Sequence, residues 1–389
     1  MLKFHQLPVD FVRTFNRHIK FVKVIGIDIF DDSNGHFLRK FWKLIIAYIA
    51  LVSTVFGQYL YIFLSHKTNA NLLDVINAIP GTLMATQDIV KLCIITVKRN
   101  EIRQVILEIA ELWPVNTDDR QKVKTLDSWT RRLQLFELFY YCGYVAISLF
   151  LLVPMLTTIY TYVAESKTVY QFPLDTYYFT FLKSHYVWYF CLSLVLYFGL
   201  LLACTFHMCV YIAIDFILTS LIFDVSGLLA ALKKDFDNIE PLQDSELQNN
   251  DCSFIKGIVQ RHQKLLSVVD NLNTIFGPLL FTQVTFSSII ICCFGFLTVV
   301  SISFLMILSI FILKSSSGIA DAAYNCAWYS RSIKFRKYIQ IIIIRAQKPC
   351  LLSALGFSDV TLTTLSKILS TSWSYLSLLN QMYQDIDIT

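Results

Sequence analysis

The chain has 389 residues, of which 55% are hydrophobic and only 16% carry a charge, and its formal net charge is +5. Soluble domains usually carry about a quarter charged residues, so the surplus of apolar side chains excludes an ordinary soluble protein. Twelve Gly and eight Pro are too few for a collagen-like or disordered chain. We therefore expect an all-α, polytopic membrane protein.

The apolar runs of the chain predict seven transmembrane helices, because a spanning helix needs about 20 mostly apolar residues. The long run from 273 to 314 exceeds one crossing, and we divide it near Cys292-Cys293-Phe294-Gly295-Phe296. The last span is the least apolar of the set. The predicted spans are 41–64, 72–97, 135–163, 186–214, 273–293, 296–314 and 360–383.

The basic residues are distributed unevenly between the two sides of these spans. One side carries 28 Lys or Arg and the other carries three, Lys67, Lys167 and Lys183. The basic segments are 1–43, 98–134, 220–264 and 314–348. Because Lys and Arg accumulate on the cytoplasmic side, we predict a cytoplasmic N-terminus and an extracellular C-terminus. G-protein-coupled receptors have the opposite orientation and are excluded on this ground.

Four of the ionisable residues within or beside the predicted spans are candidates for catalysis or for buried pairing. Asp88 and Lys91 are one helical turn apart, which predicts a local ion pair. Asp215 is a second carboxylate, and His207 is expected to be a packed, hydrogen-bonded histidine. No catalytic motif and no His/Cys cluster is present in the sequence, so we expect no catalytic residue, no metal and no cofactor. The ten cysteines are expected to be mostly free thiols within apolar runs.

The last span is rich in hydroxyl groups, with ten Ser or Thr residues between Ser358 and Ser377. Steps of three and four residues select one helix face. The residues of this face are Thr364, Lys367, Thr371, Ser374, Leu378 and Gln381. Such a face could line a water-filled pore with an apolar ring at Leu378, or it could pack closely against another helix through its small side chains.

Motifs in the last third of the chain resemble the signature of the insect odorant receptors. These motifs are Ala323-Tyr324-x-x-x-Trp328-Tyr329, Gln347-Lys348-Pro349, Gly356-Phe357 and Ser374-Tyr375. The chain lacks the long second cytoplasmic loop of the co-receptor of that family, so it resembles an odorant-tuned subunit. The resemblance at Ser374-Tyr375 also places Met382 beside Leu378 and Gln381 at the pore.

The resemblance implies an odorant-gated, non-selective cation channel in the plasma membrane of sensory neurons. The expected partners are the co-receptor, in a heterotetramer, a volatile odorant and membrane lipid, with no nucleic acid. The resemblance divides the chain into spans 1–4 within 1–219, cytoplasmic anchor helices at 220–272 and 315–348, spans 5–6 at 273–314, and a pore-lining span with a short extracellular tail at 349–389. A gustatory-type channel that works without the co-receptor, or more remotely a small-molecule transporter, is the alternative.

The family places its odorant pocket in the outer half of the subunit, and a volatile ligand requires a mostly apolar lining. For each candidate the alternative is ordinary helix packing. The candidate odorant-binding residues are Ile79, Leu83, Ser148, Leu151, Leu152, Met155, Trp188, Tyr189, Leu192, Phe286 and Ile289.

Overall fold

The structure is a computed structural model of the chain. It describes residues 8–30, 37–64, 72–114, 120–165, 186–239, 248–294, 299–348 and 350–386. Ten α-helices, one turn of 3-10 helix at Trp328–Ser330 and one short hairpin make up these segments. The helices are α1 (Val9–Val24), α2 (Phe37–Phe63), α3 (Leu72–Val97), α4 (Arg99–Leu112), α5 (Arg120–Glu165), α6 (Tyr186–Asp237), α7 (Gln248–Phe294), α8 (Val299–Asn325), α9 (Ile333–Ala346) and α10 (Leu362–Ile386).

Each predicted span overlaps one of these helices over nearly all of its length, but several helices are much longer than the span they contain. Helix α5 begins at Arg120, α6 continues to Asp237, and α7 begins at Gln248. The two helices of the long apolar run are separate, because α7 ends at Phe294 and α8 begins at Val299. Hydropathy detects only the part of a helix that is apolar enough for lipid, so it cannot detect where a helix continues beyond the membrane.

The exposed side of α2 is mostly apolar between Trp42 and Phe63. Trp42, Ile46, Ile49, Phe56 and Phe63 are exposed and recur at multiples of three or four residues. Leu138, Phe139 and Leu149 are similarly exposed on α5. A soluble subunit rarely exposes a continuous apolar stripe of this kind, whereas a helix in contact with lipid does.

Four helices contain stretches that are long and apolar enough to cross a membrane, among the described residues. They are Trp42–Phe63, Ala78–Val97, Ile212–Asp237 and Ser253–Ile290. In Ile212–Asp237 the apolar stretch is completely buried by other helices. Its hydrophobicity is therefore explained by packing within the protein.

The largest hydrophobic core surrounds this buried part of α6. We call the packed group the basal bundle: α1, α4, the first part of α5, the second half of α6, the first half of α7, the second half of α8, and α9. Representative core residues are Phe15, Ile106, Phe223, Phe276 and Ile339, each of which is almost fully buried. The segments 220–239, 248–272 and 315–348, which include the predicted anchor helices, thus pack on one another within a single subunit.

Helix α1 was not predicted from the sequence, because residues 1–43 are rich in charge. Its apolar residues nevertheless recur on one face at Phe11, Phe15, Ile19 and Val22, and all four are buried. Lys20 and Lys23 are exposed on the helix surface. This separation of faces is the pattern of an amphipathic helix.

Candidate functional site

The candidate pore helix, α10, presents its hydroxyl-rich face away from its own subunit. Lys367, Thr371 and Ser374 are exposed, and Thr364 is half-buried. The opposite side of the helix packs on α7 and α8, where Leu365 and Ser372 are buried. In the part of α10 whose side chains are described, the packing face and the predicted pore face are therefore different.

The hydroxyl groups of this face bond to the backbone of their own helix. Thr371 Oγ1 donates to the carbonyl of Lys367 at 2.8 Å, and Ser374 Oγ donates to the carbonyl of Ser370 at 3.0 Å. A hydroxyl satisfied in this way costs little in a weakly hydrated environment and still offers lone pairs to water or a cation. The hydroxyl face of α10 can therefore be hydrated or dehydrated while the helix stays intact.

The side chains of Leu378, Gln381 and Met382 lie outside the described part of the structure. Helix α10 itself extends through these positions, since it ends at Ile386. At a rise of about 1.5 Å per residue, the helix is long enough to cross most of a bilayer.

The described candidate odorant residues lie on two neighbouring helices. Ile79 and Leu83 are half-buried on α3, and Phe286 is half-buried on α7, which contacts α3 directly. Ile289 is exposed on α7. The structure thus places these four residues on adjoining helices. The side chains of Ser148, Leu151, Leu152, Met155, Trp188, Tyr189 and Leu192 lie outside the described part.

A crevice lies in the basal bundle, near Arg261 and Leu265 of α7 and therefore far along this helix from Phe286 and Ile289. Leu228, Leu232 and Leu265 form its apolar wall. At its rim Lys122 forms an ion pair with Asp235, and Arg261 Nη1 lies 3.2 Å from the same carboxylate. The charges at the rim are thus paired within the protein.

A buried polar cluster joins α3, α5 and α6. Lys91 Nζ lies 2.8 Å from Asp215 Oδ1, and Tyr140 Oη donates to Asp215 Oδ2 at 2.5 Å. His207 Nδ1 lies 2.9 Å from Asp88 Oδ2. Lys91 and Asp88 thus each have a partner on α6, and the positive charge of Lys91 also attracts the carboxylate of Asp88, as their spacing of one helical turn predicts. The prediction of a hydrogen-bonded His207 is confirmed.

Two members of buried polar clusters were missed by sequence reasoning. Tyr140 was not distinguished from the many other Tyr residues, and Glu137 lies within the predicted third span without having been noted. Glu137 Oε1 lies 2.8 Å from His18 Nε2, and both side chains are almost fully buried. A carboxylate within a predicted span is itself a signal, because such a group must face protein or water and find a partner.

The exposed surface of α9 carries apolar side chains between basic ones such as Lys337 and Arg345. Ile341 and Ile344 are exposed, as are Ile333 and Tyr329 just before them, whereas Ile339 and Ile342 are buried in the basal bundle. The isoleucines of this run thus lie on two sides of α9: some pack in the core of the subunit, and the others are exposed on its surface.

Comparison with known proteins identifies the family. The model of the 7tm odorant receptor family matches residues 71–373. The chain belongs to the odorant receptor family. The match covers most of the helices described above, including the first part of α10 as far as Trp373.

Several Drosophila melanogaster receptors are similar to this odorant receptor chain. The putative odorant receptor 92a is 21% identical over 393 residues, which is 93% of each chain. Odorant receptor 49a is 28% identical over 163 residues, and the putative odorant receptor 85d is 33% identical over 153 residues. These two alignments cover 37% and 34% of this chain, and they span only 41% and 37% of the lengths of the two relatives.

The fold of the chain matches that of a solved insect receptor. The olfactory receptor OR5 from Machilis hrabei superimposes with a TM-score of 0.75 at 15% identity, covering 96% of this chain and 100% of that one. A second structure of the same receptor, in complex with eugenol, matches equally well. This odorant receptor is therefore an all-α, multi-pass membrane protein with the seven-span fold, and it belongs to a receptor class that is not enzymatic.

Proposed function

We propose that this odorant receptor is the odorant-tuned subunit of a ligand-gated, non-selective cation channel that opens together with a co-receptor. The observation that carries the proposal is the exposed hydroxyl face of α10. Lys367, Thr371 and Ser374 are not used to pack the subunit, although polar side chains at membrane depth are normally turned toward protein or water. Four such helices around one axis would supply a polar path for ions.

The narrow part of this pore is proposed to lie at Leu378, with Gln381 and Met382 beside it toward the outer end. An apolar ring expels water from the closed pore, and a neighbouring amide can replace part of the hydration shell of a cation. Lys367 would lie more than two turns inward of this ring, where a wider and wetter vestibule screens its charge.

A volatile odorant is proposed to bind between the outer parts of the helices. Ile79 and Leu83 on α3 and Phe286 on α7 support this site, because they are partly buried on helices that touch. Ile289, Ser148, Leu151, Leu152, Met155, Trp188, Tyr189 and Leu192 belong to the same proposed site. The eugenol complex of the Machilis receptor makes eugenol the first compound to test at this site.

The orientation of the chain is proposed from the distribution of charge. The 28 to three division of basic residues favours a cytoplasmic N-terminus, which places the basal bundle in the cytoplasm and the end of α10 outside. The proposed location is the plasma membrane of sensory neurons.

Assembly with the co-receptor is proposed to use the exposed surface of α9. Ile333, Ile341 and Ile344 are between 57% and 73% exposed in the isolated subunit. In water, apolar side chains exposed together favour association with another apolar surface. Segments 220–272 and 315–348 would then form the anchor that joins the subunits.

Co-expression tests the proposal. The chain is expressed in cells alone and with the co-receptor, and cation entry is recorded during application of a panel of volatile compounds that includes eugenol. We expect odorant-evoked current only in cells that contain both subunits. Current from the chain alone would favour a channel of the gustatory type, and absence of current with every compound and both subunits would refute the channel proposal.

A further inference from the structure

The hairpin before the candidate pore helix is short and directly connected to it. Strand β1 (Ser353–Ala354) pairs antiparallel with β2 (Ser358–Asp359), with Ser353 opposite Asp359. Leu355 (φ 55°) and Gly356 (φ 74°) adopt left-handed conformations in the turn. Thr364 Oγ1 donates to the carbonyl of Asp359 at 2.7 Å, which fastens the first turn of α10 to β2. The position of the hairpin therefore sets the position of the start of α10.

The side chain of Asn273 on α7 bonds to β1 with both ends of its amide. Asn273 Nδ2 donates to the carbonyl of Leu351 at 2.9 Å, and the backbone N–H of Ser353 donates to Asn273 Oδ1 at 3.0 Å. A side-chain amide has the same donor and acceptor pattern as a peptide group, so Asn273 pairs with β1 as a neighbouring strand would. No other single side chain of the described residues makes two such bonds to the hairpin backbone.

The contact continues along the same face of α7, at intervals of four residues. A Cβ atom at Gly277 would lie 3.4 Å from the backbone nitrogen of Leu355, an ordinary contact distance, so the turn of the hairpin lies directly against this position of the helix. The rings of Phe281 and Phe357 meet edge to face with their centroids 6.0 Å apart. Positions 273, 277 and 281 thus form one continuous surface of α7, on which the hairpin packs.

A break in the backbone hydrogen bonding of α7 lies within this surface, at Pro278. Pro278 has no N–H, so the carbonyl of Thr274 loses its partner within the helix. Lys98 Nζ donates to that carbonyl at 3.1 Å. Prolines are where helices bend most readily, and the hairpin touches α7 on both sides of Pro278, through Asn273 before it and Phe281 after it. A change of the angle at Pro278 must therefore displace the hairpin.

We propose that Asn273 is a positioning residue for gating: it transmits movement of α7, which carries the candidate odorant residues Phe286 and Ile289, through the hairpin to the candidate pore helix α10. The inference rests on the proposed channel function and adds the route from ligand to pore. Asn273 itself touches neither the proposed ligand site nor the pore face.

The experiment compares Asn273→Ala with Asn271→Ala in the full chain co-expressed with the co-receptor. Asn271 lies on the same helix, but its Nδ2 donates to Glu108 Oε2 at 3.3 Å on α4, away from the hairpin. Hydrogen exchange of the hairpin peptide, measured on the purified complex, reports the contact. The odorant of the panel that gives the largest wild-type current, with eugenol included, reports gating.

In Asn273→Ala the backbone amides of the hairpin should exchange faster than in the wild type. The maximal odorant current per surface receptor should fall by about fivefold or more, which is the lower end of typical coupling between sites. Asn271→Ala should match the wild type in both measurements. Asn273→Asp keeps the oxygen that accepts from the Ser353 N–H, so its current should fall less than that of Asn273→Ala. This variant also allows the test to be made if the alanine variant does not reach the cell surface. Unchanged exchange, or normal current with faster exchange, would overturn the proposal. A wild-type chain that gives no odorant current refutes the channel function, while the exchange result still decides whether Asn273 holds the hairpin.

Discussion

Lys91 on α3 and Asp215 on α6 form an ion pair of 2.8 Å in which the lysine side chain is completely buried. Tyr140 on α5 donates to the same carboxylate, so three helices meet at Asp215. Removing two charges from water costs several kcal/mol per ion, and the mutual attraction of the pair must offset that cost. The pair therefore fixes which faces of α3 and α6 are in contact.

Replacing Asp215 with Asn should prevent normal accumulation of the receptor, because the buried Lys91 ammonium group would lose the counter-charge that lies 2.8 Å from it. Breaking a buried pair in this way typically costs about 3–5 kcal/mol. The measurement is the amount of receptor at the cell surface. The double variant Lys91→Met/Asp215→Asn removes both charges and should recover a substantial part of the loss. Equal losses in the single and double variants would show that the pair is not coupled.

The exposed isoleucines of α9 give a prediction about assembly. Replacing Ile341 and Ile344 with Asp should reduce recovery of the co-receptor with this chain by about tenfold or more, since an apolar contact would have to bury unpaired charges. Ile343 is unsuitable for this test because it is partly buried in its own subunit. Val123→Asp, at an exposed apolar position of α5 outside the proposed anchor segments, serves as the control. Normal recovery with both isoleucines replaced would place the subunit contact elsewhere.

Sequence reasoning located the helices better than it located their partners. Periodicity and length were sufficient to find α3 and the interruption between α7 and α8, because both depend on local composition. The pairing of Lys91 with Asp215 depends on which helices become neighbours, and no local pattern contains that information. The burial of α1 was missed for a different reason, since its exposed charges concealed a regular apolar face at Phe11 and Phe15.

The candidate pore could be predicted only in part for the same reason. Helical spacing alone grouped Thr371 with Ser374, and the structure exposes both on one face. The role of Asn273 was not visible in the sequence, because its partners lie on a hairpin about 80 residues further along the chain. The sequence nevertheless contained one signal. Because Pro278 has no N–H, the carbonyl of Thr274 needs a donor from outside the helix, and Lys98 is that donor.

The proposed gate gives a prediction about leak and selectivity. Leu378→Ser should increase current in the absence of odorant, because a polar ring no longer keeps the closed pore dry. Gln381→Ala should alter ion selectivity or conductance more than it alters the odorant concentration for half-maximal response. Both variants are recorded at matched surface levels with the same co-receptor. If both variants showed the leak, selectivity and conductance of the wild type, the hydroxyl face of α10 would not line the pore. It would instead serve close packing against another helix.

The orientation of the chain can be tested with epitope tags. A tag after Thr389 should be labelled on intact cells, and a tag before Met1 should be labelled only after permeabilisation. The unequal number of basic residues on the two sides is the reason for this expectation. The reverse labelling pattern would contradict both the orientation and the cytoplasmic position of the basal bundle.

Chemical modification of α10 tests most directly whether this subunit lines an ion path. Ser374→Cys places a thiol on the exposed face, and Ser372→Cys places one on the buried face against α7, where Ser372 Oγ lies 3.5 Å from the carbonyl of Ser288. Each variant is co-expressed with the co-receptor and treated with a cationic thiol reagent during odorant application, with the wild-type chain as the control for native cysteines. We predict rapid, irreversible loss of current in Ser374→Cys and little change in Ser372→Cys or the wild type. Equal insensitivity of Ser374→Cys and the wild type, with normal current before treatment, would contradict a pore lined by this face of α10.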